Sequence, residues 1–201
     1  IELARMFAAG PRPQRTLLFM ALTAEEKGLQ GATFYAAKPL MPLAKTAAVL
    51  NIEMLSPDGP TRDIASWGKG RVSLENDLKR VAEAHGRTYS PDPNLEAGFF
   101  YRADHFAFAR AGVPAITVGA GLDRIDGGVA SGRALRDAYF ARCYHQPCDA
   151  WTASWDARGQ ARDVALLYAL GREIADSDAW PHWLNGSEFK AVRERSETER
   201  K

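Results

Sequence analysis

Residues 15–22, RTLLFMAL, form an uninterrupted apolar run, the signature of a strand covered on both faces. Further candidate strands are residues 47–52 (AAVLNI), 63–67 and 115–118. Helical stretches alternate with them. Ile1, Leu3, Ala4, Phe7 and Ala8 recur at helical spacing, and a helix over about 29–37 is ended by Pro39 and Pro42. An amphipathic helix over 74–84 stops at Gly86, and a short one over 106–111 closes at Gly112. A long helix over 158–174 carries Val164, Leu167, Leu170 and Ile174 on one face, whereas the Gly-rich stretch 119–132 reads as loop. Strands alternating with helices predict helices packed on both faces of a mostly parallel mixed sheet, a three-layer α/β/α architecture. In such sheets the chemistry gathers at the carboxyl ends of the strands.

With 201 residues, the chain suffices for one sizeable domain. A formal charge of +1 gives no general pull toward nucleic acid or an anionic membrane. No apolar run approaches the roughly 20 residues that span a bilayer. Function is therefore expected from a site and not from a field. Ile1 opens the chain in mid-helix, so upstream sequence is expected. The main unit is predicted over 1–180. Residues 181–201 are expected as a charged tail, in which 188–201, dense in Arg and Glu, is a solvated helix or disordered.

Carboxylates stand where a site belongs. Glu25 and Glu26 follow the first apolar run, and Glu53 follows the second. Adjacent carboxylates at the end of a buried strand repel each other and resist desolvation. A cation relieves one of them, leaving the other as a base; an exposed pair on a first helical turn is the plainer alternative. Asp104 precedes a short helix and could serve as its N-cap. Cys143 and Cys148 flank His145, which leaves a short-loop disulfide, two free thiols and a Cys/His zinc cluster open. No Gly-x-Ser-x-Gly elbow and no Gly-rich phosphate loop occurs.

In combination these segments resemble a known family. Residues 23–31 (TAEEKGLQG) resemble the Glu-Glu motif of the co-catalytic zinc aminopeptidases, metallopeptidase family twenty-eight. Residues 51–54 (NIEM) are similar to its Asn-Leu-Asp-Met ligand strand. Residues 101–106 (YRADHF) with 111–115 (AGVPA) resemble its Ser-Asp-His and Ala-Gly-Val-Pro segments, and 144–149 (YHQPCD) its final His-ligand motif. The motifs occur in the family's order over roughly residues 1–175.

The resemblance implies a zinc-exopeptidase-like fold lacking its N-terminal strands, and a peptide substrate cleaved at its N-terminal bond. By the same resemblance Glu25 is the general base, Glu26 and His145 ligate one zinc, and Glu53 ligates the other. Tyr144 donates to the developing oxyanion, while Asp104 and His105 line the site beside the substrate. Two departures matter. The family's upstream His-x-Asp motif has no counterpart before Glu25, so this chain alone is expected to bind zinc weakly if at all, and not to hydrolyse peptides. Glu53 stands where the family has Asp, moving the carboxylate outward by about 1 Å. A single-zinc acyltransferase like glutaminyl cyclase and a non-catalytic peptidase-like binding domain are the rival readings. A periplasmic or secreted location is expected.

Overall fold

The computed structural model describes residues 1–92 and 94–200; Pro93 in the 90–100 loop and Lys201 at the end of the tail lie outside them. Helices α1 (Glu2–Ala9) and α2 (Gln30–Ala37) come first, then strands β1 (Val49–Ile52) and β2 (Asp63–Trp67). Helix α3 (Leu74–Ala84), β3 (Thr88–Ser90), α4 (His105–Arg110) and β4 (Ala115–Ala120) follow. Helices α5 (Gly128–Arg142), α6 (Ala157–Asp176) and α7 (Lys190–Arg195) complete the order.

The four strands form one mixed sheet in the order β1-β4-β2-β3. Strand β1 runs parallel to β4 with Asn51 opposite Thr117 and Ile52 opposite Val118. Strand β3 runs parallel to β2, whereas β2 pairs antiparallel with β4. Central β4, all but its last residue buried, reads AITVGA, the near-continuous apolar run of a strand covered on both faces. The α/β layering matches the sequence expectation. Leu74, Leu78 and Val81 of α3 and Leu166, Leu167 and Leu170 of α6 join Ile64, Ile116 and Val118 in the main core. A smaller cluster joins Ala32 of α2 to Ala107 and Phe108 of α4.

A buried ion pair ties α6 to the sheet. Arg87 Nη1 lies 2.7 Å from Asp163 Oδ1, with side-chain exposures of 2% and 1%. The other oxygen of Asp163 accepts from the Ser56 backbone N–H at 3.1 Å, and Arg87 also donates to Thr61 Oγ1 at 2.9 Å. These contacts offset part of the cost of burying the pair, although the Arg87 Nε stays without a hydrogen-bond partner among the described residues. The contact to Ser56 fixes the loop leaving β1. Asp156 caps α6 by accepting from the Arg158 N–H at 3.1 Å.

Three expectations are corrected. Residues 15–22 form no strand, and Leu18, Phe19 and Met20 stay exposed at 47%, 49% and 37%. Strand character comes from a ladder of hydrogen bonds to a neighbour, and among the described residues no strand pairs with this run. The Gly-rich stretch 119–132 begins inside β4, is loop only over 121–127, and enters α5 at Gly128. A β-carbon at Gly132 would come 2.0 Å from the Leu122 carbonyl oxygen. The glycine thus serves close packing of α5 on that turn and not flexibility.

The charged tail is not solvated throughout. Trp183, Phe189 and Arg193 are buried, and the Trp183 indole N–H donates to the Gly112 carbonyl at 2.9 Å. Arg193 gives its N–H groups to the carbonyls of Leu43, Ala44 and Thr46. Few but large apolar groups anchor this segment, a pattern that average composition hides. Among the described residues, no helix is long and apolar enough to cross a membrane.

Candidate active site

Strand β1 ends at Ile52, and the Glu53 N–H continues the ladder to the Val118 carbonyl at 3.3 Å. Beyond it Met54 turns the chain away at φ 49. The Glu53 carboxylate leaves half-buried, with Oε1 accepting from Asn51 Nδ2 at 3.0 Å. Glu25 and Glu26 occupy a single 3-10 turn, Glu25–Lys27, entered through Ala24 at φ 56 and left through Gly28 at φ 92. That turn points neighbouring carboxylates outward from one short segment.

His145 follows the end of α5 at φ 59. Its Nε2 lies 2.9 Å from Glu26 Oε1, and the Tyr144 ring stacks on it with centroids 3.8 Å apart. The segment is closed by a disulfide between Cys143 and Cys148, with Cα atoms 5.2 Å apart. This settles the three alternatives for the cysteines. With their sulfurs bonded to each other, neither is a thiolate able to ligate zinc.

Ala24, Met54 and His145 all hold a left-handed backbone conformation that side chains disfavour, and each stands beside or within the site. Such strain persists only where the surroundings over-determine it, and it clusters at functional sites. Sequence reasoning missed this signal, because none of the three is a glycine or an asparagine.

The charges explain the chemistry available. Burial first, then Glu26, Glu53 and Asp104, push the Glu25 carboxyl up to about 7, while His145 pulls it down. Burial also raises Glu53, opposed by the Asn51 hydrogen bond and reinforced by Asp104 and Glu26. Asp104 is raised by burial alone, and its Oδ1 is buried without a hydrogen-bond partner. Asp104 occupies the N-cap position of α4 but makes no capping bond. The Tyr144 phenol is raised by burial and then by Glu26 and Glu25, with Arg102 opposing. Four carboxylates thus share one neighbourhood with a single imidazole, an excess of negative charge that a cation relieves.

The donors are of the kind zinc takes, carboxylate and imidazole, but their number falls short. Among the described residues, no three His, Cys, Asp or Glu side chains come close enough to hold a metal ion. Zinc sites ordinarily take three or four protein ligands, so Glu26 and His145 offer part of a shell and not a closed site.

The structure therefore brings together Glu25, Glu26, Glu53, Tyr144, His145 and Asp104. It does not bring His105 to the surface. The ring is fully buried, so it cannot line the site as expected. Burial holds it at about 3, hence neutral, and Thr117 Oγ1 lies 2.7 Å from its Nδ1. Its apolar shell, including an edge contact with Phe100 at 4.6 Å between centroids, belongs to the core.

Beside the cluster lies a cavity of about 960 Å³, bounded by Met54, Gly119 and both disulfide cysteines. Ser90 at the end of β3, with Asp92, Asn94 and Phe99 beyond it, lines one side, and residues 119–122, from the end of β4 into the turn after it, line another. Its aromatic wall runs from Trp67 to Phe99 (5.4 Å), Phe140 (5.7 Å) and Tyr144 (4.7 Å), so it leads toward His145.

Known proteins are similar to this chain in sequence or in fold. A protein from Arthroderma benhamiae described as a probable glutamate carboxypeptidase is 28% identical over 199 residues, covering 90% of this chain. The chain spans only 26% of that relative's length. The LapA aminopeptidase of Legionella pneumophila superposes with a TM-score of 0.54 at 16% identity, over 79% of this chain and 38% of that one. At that identity the likeness speaks for the fold. The model of peptidase family M28 matches residues 1–169, most of the sequence. The chain belongs to peptidase family M28.

Proposed function

We propose that the chain carries the catalytic face of a zinc-dependent aminopeptidase, a hydrolase that removes the N-terminal residue of a peptide. The observation that carries this reading is the Glu26–His145 contact between two distant segments, with Glu25 near enough to both, and to Glu53 on a third segment, to feel their charges. Glu26 and His145 would hold one zinc and Glu53 the other, each with further donors to complete its shell. Zinc held there supplies positive charge that acidifies water and polarises a carbonyl.

The remaining chemistry belongs to the chain. Glu25 accepts a proton from the attacking water and delivers it to the leaving amine as the carbon–nitrogen bond breaks. The Tyr144 hydroxyl donates to the carbonyl oxygen as it gains charge. The cavity beside Met54 and Phe140 receives the substrate side chain. The Cys143–Cys148 disulfide favours an oxidising compartment, periplasmic or secreted.

The description of the Arthroderma benhamiae relative makes a carboxypeptidase the second reading. Aminoacyl-nitroanilides and peptides blocked at one end or the other separate the two. Chelator-sensitive release from substrates with a free amine supports an aminopeptidase. Release only from substrates with a free carboxylate overturns it.

A further inference from the structure

We infer that His105 is a positioning residue for Glu53, acting through Thr117 and Asn51 as the buried last acceptor of a hydrogen-bond chain. Asn51 Nδ2 lies 3.0 Å from Glu53 Oε1 and 3.1 Å from Thr117 Oγ1. The same hydroxyl lies 2.7 Å from His105 Nδ1.

The direction of each bond follows from what each group can give. An ionised carboxylate only accepts, so the Asn51 amide turns its nitrogen to Glu53 and donates one N–H there. The second N–H of that amide goes to the Thr117 oxygen. Thr117 then has one proton of its own to place, and His105 Nδ1 accepts it. Nδ1 is therefore the bare nitrogen, and the neutral ring carries its proton on Nε2. That nitrogen is buried and has no hydrogen-bond partner among the described residues.

The fold builds this chain through its register. Asn51 and Thr117 face each other across the parallel β1–β4 pair, and His105 opens α4, which packs against β4. Apolar side chains would fill the same space without a desolvation cost. The polar chain instead holds Glu53, whose charge is repelled by Asp104 and Glu26, in one orientation at the strand end. The relay stands on these distances alone. Only its bearing on hydrolysis rests on the peptidase reading.

Nuclear magnetic resonance of the labelled chain tests it. In the unsubstituted protein the nitrogen signals of His105 should show Nδ1 unprotonated and Nε2 protonated. Thr117→Val should shift the Glu53 carboxyl carbon signal and perturb both His105 nitrogens. Thr117→Ser, which keeps the hydroxyl, should restore both. His105→Asn, whose amide oxygen can stand in for Nδ1, should leave the Glu53 signal near its original place. A proton found on Nδ1 overturns the inference, as does an unmoved Glu53 signal in folded Thr117→Val. If Thr117→Val does not fold, the tautomer and the serine variant decide. Absence of hydrolysis from a zinc-loaded preparation with the relay intact sinks the peptidase reading and leaves this one standing.

Discussion

The Nε2 of His145 sits 2.9 Å from Glu26 Oε1, although the two residues are far apart in the sequence. Both side chains are largely exposed, so this contact adds little to stability. It aligns two ligand-type groups at the rim of a cavity, next to Glu25. Its value is therefore in the site, and substitution there should cost activity far more than folding.

Glu25→Gln removes the base while keeping the shape. In a preparation that hydrolyses aminoacyl-nitroanilides, we expect turnover to fall by about 10²–10⁴-fold, the usual contribution of a positioned general base. Circular dichroism and metal content should be unchanged. Equal turnover for both versions would remove Glu25 from its role.

The disulfide closes a six-residue loop around Tyr144 and His145. Replacing both cysteines by serine should lower stability by about 2 kcal/mol, the chain-entropy figure for so short a loop. Thermal unfolding with and without dithiothreitol measures the same quantity. The serine variant should show no response to the reductant.

Asp163→Ala leaves the Arg87 guanidinium buried without its partner. The expected loss is about 3–5 kcal/mol, the cost of an uncompensated buried charge. Urea unfolding should register it. Changing Arg87 and Asp163 together to apolar residues of similar volume should cost less than Asp163→Ala alone.

His105 gives stability a pH dependence. Its folded pKa of about 3 lies below the ordinary 6.5, so the unfolded chain binds the proton first. Stability from this group is complete above about 6.5 and falls as the pH drops toward about 3, by at most about 1.4 kcal/mol per pH unit. Urea midpoints measured from pH 7 to pH 4 should decline. The slope should flatten in His105→Asn, which does not titrate.

Local pattern was enough for much of this molecule. The segments 63–67 and 74–84 have the bounds that period and glycine stops predict, and β1, α4, β4 and α6 differ by at most two residues at either end. Periodicity encodes burial directly, so an apolar run or an amphipathic stripe declares its element without reference to partners. The Glu25–Glu26 pair, Glu53 at the end of β1 and the histidine between two cysteines were legible for a related reason. Those residue types are costly in such places unless something offsets them.

What required the folded chain was everything that depends on a neighbour. Residues 15–22 have strand composition but no ladder, because pairing belongs to two segments and not to one. Trp183, Phe189 and Arg193 looked like parts of a solvated tail until the core offered them carbonyls and aromatic faces. Nothing in the neighbours of His105 along the chain distinguishes a site residue from a buried acceptor. That distinction arises when the β1–β4 register sets Thr117 opposite Asn51, and only three-dimensional packing brings a histidine ring to the end of that pair.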